Sequence, residues 1–303
     1  MKLIKITFAL FILLLSASIF VKCKKDNIIT KNTSPNKEIN KVNYLFNPLS
    51  RDTKLFENYY NGKGNYSIGF DNQRNYNMLD NRISENNNAY ASVKFNNTFS
   101  KISTCSIDGV LLKEKLVDGN YFYSLEHQDL DNVIHNWFGK IVTFKMTYDG
   151  TANRTTNLEV IDSVYIPQEI NVDGSSLKSI FGATTLNSGE NGISRYGNYT
   201  INWNLDSANK NGMAVLVSWH GATFIETAPH NPIYSLNYIV NLDIVDDNGT
   251  YTIKADNFKD FPKNAIFDVV LIRVGGTTDF VGYGQKLFVG ATLYRIPSFY
   301  LKD

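Results

Sequence analysis

The sequence predicts an all-β protein built as two β-sandwich domains of the immunoglobulin-like kind. The chain holds 18 tyrosines and 19 phenylalanines, and together with many threonines, valines and isoleucines these residues favour strands over helices. Short strand-like segments recur at the spacing typical of all-β domains, with turn residues between them. Segments with helical spacing are few and short, at 52–60 and 129–137.

The first series of strand-like segments predicts an N-terminal β domain over residues 46–166. In 140–148 the side chains alternate after the first pair, which suits a sheet with one face in water. Asp-Gly pairs at 118–119 and 149–150 supply the positive φ angles that tight hairpins need. The predicted strands are 66–70, 89–95, 102–112, 121–125, 140–148 and 158–166.

The second series predicts a C-terminal β-sandwich domain over residues 167–303. Residues 213–219 are almost continuously apolar, as expected for a central strand that is covered on both faces. The turn sequence at 246–249 predicts a hairpin between the segments on either side. One merged sandwich is the alternative to two domains. The predicted strands are 199–203, 213–219, 234–242, 250–255, 265–274 and 287–296.

The N-terminus has the pattern of a secretory signal. Lys2 and Lys5 precede an apolar run over 6–21, which ends in a polar switch at Cys23. The run is shorter than the roughly 20 residues that a comfortable membrane-spanning helix needs. We expect a signal peptide over 1–22 and lipidation of Cys23. Cleavage by ordinary signal peptidase after Ser18 and an uncleaved anchor are the alternatives.

Two stretches carry a resemblance to a known group. The signal ending in Cys23-Lys24-Lys25-Asp26 resembles the lipoprotein signals of Bacteroidota, and Asn198 to Gly212 is similar to a stretch common in uncharacterised lipoproteins of that group. The resemblance implies an acyl chain such as palmitate on Cys23. It places the protein in the cell envelope, anchored to the outer membrane on its periplasmic or surface face, and it implies no activity.

Composition narrows the range of partners. Thirty basic and 29 acidic side chains nearly cancel, and no basic stripe marks a nucleic-acid partner. Residues 23–45 are polar and hold too little apolar surface to fold, so we interpret them as the lipidated N-terminus and a flexible tether. With Cys23 lipidated, Cys105 has no disulfide partner. We expect Cys105 to be a small buried residue in a strand.

The most site-like segment runs from Trp219 through His220 and Glu226 to His230. It leaves an apolar strand and enters a predicted loop with two histidines, a carboxylate and aromatic rings. Imidazole and carboxylate are zinc ligands, but this spacing matches no metal signature. The sequence therefore predicts ligand binding here, by Trp219, His220, Glu226 and His230, and no metal.

Two further segments are candidates. Gly275 to Gly284 is rich in glycine and predicts a long connection between strands, where Phe280 and Tyr283 could stack on a sugar or grip a peptide. The acidic segment 126–132, followed by His135, offers oxygen ligands for calcium. Helix capping by aspartates explains that segment equally well.

We expect a non-enzymatic, membrane-tethered envelope lipoprotein that binds or scaffolds an extracytoplasmic glycan or protein. No catalytic residue and no cofactor is predicted; the chain has no Gly-x-Ser-x-Gly elbow. One alternative is an extracellular hydrolase of glycans or esters with acidic residues in C-terminal loops. It predicts a concave pocket that holds two or more carboxylates, or a carboxylate beside His220 or His230. Another is a purely structural envelope protein. The expected partners are the membrane, through the N-terminal lipid, and an envelope component.

Overall fold

The all-β prediction is confirmed, since strands make up most of the structure. The structure is a computed structural model. It describes residues 66–77, 82–95, 98–125, 127–148, 158–174, 177, 193–225, 228–234, 239–281 and 284–302.

The N-terminal half supplies nine strands and two short helical elements. They are β1 Tyr66–Asn77, β2 Arg82–Phe95, β3 Thr98–Ser100, β4 Thr104–Ile107, β5 Val110–Leu111, β6 Lys113–Val117, β7 Asn120–Ser124, helix α1 His127–Val133, a 3-10 helix Ile134–Asn136, β8 Lys140–Tyr148 and β9 Leu158–Ile166. The α1 and 3-10 helices together confirm the helical prediction at 129–137, whereas 52–60 lies outside the described residues.

The C-terminal half supplies the remaining strands and a second 3-10 helix. They are β10 Ile193–Ser194, β11 Tyr199–Asn202, β12 Met213–Ile225, β13 Ala228–Tyr234, β14 Ile239–Val245, β15 Thr250–Ile253, the 3-10 helix Ala255–Phe258, β16 Ala265–Val281 and β17 Gly284–Lys302.

The largest sheet runs through both halves of the chain. It has 11 strands, with the main path β13-β12-β16-β17-β1-β2-β7-β6, while β14 pairs with β12, β10 with β17 and β3 with β2. Strand β1 pairs in parallel with β17, from Tyr66↔Lys286 to Asn75↔Arg295. The two-domain, immunoglobulin-like detail is therefore not confirmed, and the alternative of one merged sandwich stays open.

A four-stranded sheet, β5-β4-β8-β9, packs against the N-terminal part of the large sheet in a sandwich-like arrangement. The first core lies between them and includes Phe70, Phe144 and Trp137. Cys105 belongs to this core, and burial raises the pKa of its thiol to about 12. The expectation of a buried small residue in a strand is confirmed. A second core, around Phe267, lies under β12, β16 and β17.

The glycine-rich segment that begins at Gly275 is not a loop. Strand β16 continues to Val281 and pairs with β17 up to Gly284, so the predicted long connection is wrong. A Cβ on Gly275 would lie 1.9 Å from the carbonyl oxygen of Tyr165. Glycine is needed there because the backbone of β9 crosses β16 at contact distance.

Two turn predictions had opposite outcomes. Asp118 and Gly119 have φ of 49° and 77° and join β6 to β7 as the predicted hairpin. The hairpin predicted at 246–249 is wrong, because β14 pairs with β12 whereas β15 pairs with β11. Gly249 still has a positive φ of 82°, so the turn chemistry was correct and the pairing was not. The pairing depends on distant strands that local turn residues do not specify.

Candidate functional site

Strand β12 places Trp219 and His220 on opposite faces of the large sheet, because successive side chains in a strand alternate. Strand β12 continues to Ile225, so the loop predicted after Trp219 is wrong. Trp219 lies in the second core, and its Nε1 donates to the carbonyl of Ala222 at 2.7 Å. His220 is partly exposed on the other face. The structure does not bring these two rings together.

The other predicted site residues lie wholly or partly outside the description. Their binding roles stay predictions, as does lipidation. These residues are Cys23, Glu226 and Tyr283, together with the side chains of His230 in β13 and Phe280 in β16.

His220 belongs to a charged cluster, which we call the Asp268 cluster, on the face of β12, β16 and β17 opposite the second core. That face also carries a third buried cluster, which includes Ile272 and Val274. Nε2 of His220 lies 3.1 Å from one carboxylate oxygen of Asp268. Nε and Nη2 of Arg295 lie 2.6 and 2.5 Å from the other oxygen. The Asp268 side chain is 6% exposed, whereas those of His220 and Arg295 are 41% and 45% exposed. One buried carboxylate therefore orients two partly exposed basic side chains.

The charge state of Asp268 follows from these partners. Burial on its own would raise the pKa of the carboxyl group, because it disfavours the charged form. The hydrogen bond and charge of His220, and the charge and hydrogen bond of Arg295, more than offset that effect. The pKa of Asp268 is lowered below its ordinary value. The carboxylate is thus ionised at neutral pH.

On the face that carries the two large cores, which we call the inner face, strand β1 has polar side chains between its residues of the first core and its residue of the second core. Ile68 and Phe70 belong to the first core, and Tyr76 belongs to the second. Because side chains alternate along a strand, Asn72 and Arg74 share this face. Two polar side chains therefore stand between the cores.

This polar stretch of β1 extends across the sheet as a polar row. In register, Arg273 of β16 stands beside Thr292 of β17, and Thr292 stands beside Asn72 of β1. All three residues are 0% exposed. Arg273 and Thr292 both donate to the carbonyl of Gln168, at 3.2 and 3.0 Å. The segment that follows β9 thus lies over the row.

Arg273 is saturated with partners. Its Nε and Nη2 donate to the two carboxylate oxygens of Asp247 at 2.7 and 3.0 Å. Nη2 also donates to the carbonyl of Asn204, and Nη1 to those of Gln168 and Glu169 at 3.2 Å each. Both charged side chains are almost completely buried, at 0% and 1% exposure. This is the pattern of a structural ion pair.

The stretch from Asn198 to Gly212, which carried the second resemblance, supplies part of this network. Trp203 Nε1 and Asn209 Nδ2 donate to Asp247 at 2.9 and 3.1 Å. Asp206 accepts the backbone N–H of residue 168 at 2.8 Å. These polar side chains hold backbone segments together around the buried ion pair.

A second inner-face cluster, which we call the junction cluster, consists of Arg74, Glu85, His135 and Glu169. One ligand atom from each of the last three lies within 4.8 Å of the others. Arg74 Nε is 3.9 Å from Glu85 Oε2, and Nη1 is 4.0 Å from Glu169 Oε2. His135 Nδ1 is 3.3 Å from Glu169 Oε1, yet that oxygen has no hydrogen-bond partner.

Unpaired polar atoms concentrate at the junction cluster. Among the described residues, three buried side-chain atoms lack a hydrogen bond: Asn72 Oδ1, Arg74 Nε and Glu169 Oε1. The amide nitrogen of Asn72 donates to Glu85 Oε1 and Asn87 Oδ1, each at 2.8 Å. Flipping the amide would set its oxygen against those acceptors, so its orientation is fixed. An unpaired buried polar group costs about 1–3 kcal/mol.

Of the residues in the Asp268 and junction clusters, only His220 and His135 stand out as candidates from the sequence. From the sequence, His135 is a candidate only beside the calcium segment. Asp129 and Asp131 of that segment have separate partners in the structure, Lys113 Nζ at 2.9 Å and Asn87 Nδ2 at 3.0 Å.

A sequence signal existed for one missed residue and not for others. Asp268 interrupts the apolar run at 265–272, and a charge in such a run needs a partner. Glu85 stands among polar neighbours at 84–88, and Glu169 follows a proline-containing connection. Neither position differs in pattern from an exposed residue.

Comparisons with known proteins give no relative: no family model, no curated protein and no solved structure matches the chain. Within the residues that the structure describes, no helix is both long and apolar enough to cross a membrane.

Proposed function

We propose that this protein is a non-enzymatic binding protein of the cell envelope, held at the outer membrane by a lipid on Cys23. It binds an anionic glycan through His220 and Arg295. The observation that carries the binding role is the geometry of the Asp268 cluster. A buried carboxylate fixes both basic side chains, while each remains more than two fifths exposed.

The chemistry of Arg295 supports an anionic ligand. A guanidinium group has five N–H donors on three nitrogens. In Arg295, two of these nitrogens contact Asp268. The planar donor group suits bidentate recognition of carboxylates and related anions. Because Asp268 already orients the side chain, binding costs less conformational entropy than it would for a free arginine. A glycan that carries uronic acids matches these donors.

The binding role is tested by affinity electrophoresis of the purified full chain in gels that contain polygalacturonate or neutral dextran. Wild type should be retarded by polygalacturonate alone, and Arg295→Gln should lose most of that retardation. Lys145→Gln is the matched control, because it removes an exposed basic group on the other sheet. Equal retardation of wild type and Arg295→Gln, or no retardation of wild type, would refute the proposed binding site.

The anchor is tested separately, by mass spectrometry of the N-terminal peptide from the protein as its own cell produces it. The proposal expects residues 1–22 to be absent and a diacylglyceryl group and fatty acid on Cys23. An intact Met1, or an unmodified terminus at Ile19, would contradict it. The binding result and the anchor result stand independently.

One observation favours a second candidate function. The hydrolase alternative predicts either a concave pocket with two or more carboxylates or a carboxylate beside His220 or His230, and a carboxylate oxygen of Asp268 lies 3.1 Å from His220 Nε2. A carboxylate that orients a histidine is the arrangement found in general-base catalysis. Arg295 shares the same carboxylate, which favours anion binding over catalysis. Ester and glycan hydrolysis assays of wild type and His220→Gln distinguish the two: turnover that His220→Gln abolishes would favour the hydrolase.

A further inference from the structure

We infer that the junction cluster is a binding site for zinc or a similar divalent transition metal, with Glu85, His135 and Glu169 as ligands. This site is separate from the Asp268 cluster. The two lie on opposite faces of the large sheet, since Arg74 of the junction cluster and Asn75, the register partner of Arg295, are neighbours in β1. The inference therefore goes beyond the proposed anion binding and does not depend on it.

The ligand types select the class of metal. Imidazole nitrogen and carboxylate oxygen are both ligands of Zn²⁺. Calcium and magnesium prefer oxygen ligands alone, whereas imidazole favours zinc and its neighbours in the first transition row. Three protein ligands leave a coordination position for water or another ligand, as in zinc sites that are not purely structural.

The distances fit a shared metal ion. Ligands about 2.0–2.1 Å from a tetrahedral zinc ion are roughly 3.3–3.4 Å from one another. His135 Nδ1 and Glu169 Oε1 are 3.3 Å apart, and they do not form a hydrogen bond. All three ligand atoms lie within 4.8 Å of one another, so one ion can lie between them.

The unpaired atoms are an independent observation. Glu169 Oε1 and Asn72 Oδ1 are both buried acceptor atoms without a hydrogen bond, and Asn72 is 0% exposed. The fixed Asn72 amide holds Glu85 Oε1 at 2.8 Å, as supporting residues hold metal ligands in place. Buried acceptors without donors are the groups that a cation stabilises.

Arg74 acts against the metal and so provides a test. Its guanidinium nitrogens lie 3.9 and 4.0 Å from the carboxylates of Glu85 and Glu169. A positive charge at that distance repels a cation. Removing it should therefore strengthen zinc binding, whereas a cluster that is only an ion-pair network predicts no zinc binding with or without Arg74.

The experiment is equilibrium dialysis of the purified full chain against zinc chloride, with bound zinc measured by elemental mass spectrometry. Wild type should bind one zinc ion per chain. His135→Gln and Glu169→Gln should each weaken zinc binding at least about tenfold. Removing a residue that only supports a metal ligand already costs about 10–100-fold in metal affinity, and these two residues are themselves ligands. Arg74→Met should strengthen it. Glu159→Gln, an exposed carboxylate on the other sheet, should leave zinc binding unchanged.

His135 is the primary test position because its side chain is 59% exposed, so its substitution leaves the cores intact. Circular dichroism of each variant confirms that it is folded. Failure of wild type to bind stoichiometric zinc, or undiminished binding by folded His135→Gln, would overturn the inference.

Discussion

Arg273 and Arg74 lie on the same face of the same sheet, and their surroundings differ. Arg273 has a carboxylate and three carbonyl groups as partners. Arg74 donates through Nη1 to the carbonyl of Ile170 at 3.3 Å and to Asn171 Oδ1 at 2.5 Å, but it stands 3.9 and 4.0 Å from its two carboxylates and its Nε has no hydrogen bond. A buried charge with all partners supplied holds a fold together. The junction cluster lies where four chain segments meet and contains buried atoms without hydrogen bonds, so it can still bind a ligand.

Replacing Arg273 tests the first half of this comparison and has the largest expected effect. Arg273→Met retains most of the volume but leaves the carboxylate of Asp247 buried and without its cation. Breaking a buried ion pair in this way costs about 3–5 kcal/mol. The free energy of unfolding, measured by urea denaturation, should fall by that amount. A loss below 1 kcal/mol would show that Asp247 gains water or another partner.

Gly275 tests whether the crossing of β9 over β16 holds the carbonyl groups that Arg273 needs. Gly275→Ala sets a methyl group against the carbonyl of Tyr165, 1.9 Å away without relaxation. Overpacking of this kind costs about 1–3 kcal/mol. Thermal unfolding should show the loss. Gly174→Ala is the control, because no atom lies within 4 Å of its added Cβ; equal effects would contradict the close crossing.

The Asp268 cluster should make stability depend on acid pH. The folded-state pKa of Asp268 is lowered. The stabilisation that its ionised carboxylate gives the folded state is therefore complete at pH values above the ordinary pKa of 3.8. It is lost as pH falls through the lower folded value.

Asp268→Asn removes this dependence. At pH 7 it should cost about 1.5–3 kcal/mol, the value of hydrogen bonds to a charged group. The gap in unfolding free energy between wild type and Asp268→Asn should narrow between pH 5 and the most acidic pH at which the protein stays folded. A gap that is constant with pH would contradict the charge assigned to Asp268.

Arg74→Met should have a smaller effect than Arg273→Met. Glu85 and Glu169 keep side-chain exposures of 26% and 23%, so water can reach them when the arginine is lost. We expect a loss of about 1 kcal/mol, because Nη1 loses its hydrogen bonds to Ile170 and Asn171 and a typical net hydrogen bond contributes about 0.5–1.5 kcal/mol. Urea denaturation of the two methionine variants side by side gives the comparison directly. An equal loss would make Arg74 as structural as Arg273.

The smallest effect is expected at the surface pair Lys145–Glu159. Their side chains are 48% and 50% exposed, although they are 2.5 Å apart. Exposed pairs contribute about 0–1 kcal/mol. Lys145→Gln should therefore leave the unfolding midpoint nearly unchanged, which sets the baseline for the buried pairs. A larger loss would show that contact distance and not burial determines these energies.

Local sequence patterns predicted the elements better than their pairing. Alternation and turn residues identified most strands, including β8 and the hairpin at Asp118-Gly119. They did not predict that β1 pairs with β17, because partners about 220 residues apart leave no local trace. The same limit hid Glu85 and Glu169, whose importance lies in which residues the fold places beside them. The loop predicted from Gly275 was wrong because glycine occurs both in loops and where two backbones cross closely.

Anomalous X-ray scattering at the zinc edge, from crystals grown with zinc chloride, tests the central claim most directly. That claim is that Arg273 has all its hydrogen-bond partners, whereas the junction cluster around Arg74 has unpaired buried atoms and binds a metal ion. The account predicts an anomalous peak within about 2.0–2.2 Å of His135 Nδ1 and of a carboxylate oxygen of Glu169, and none beside Arg273. Crystals with no peak at the junction cluster, or with Arg74 bonded directly to both carboxylates there, would contradict it.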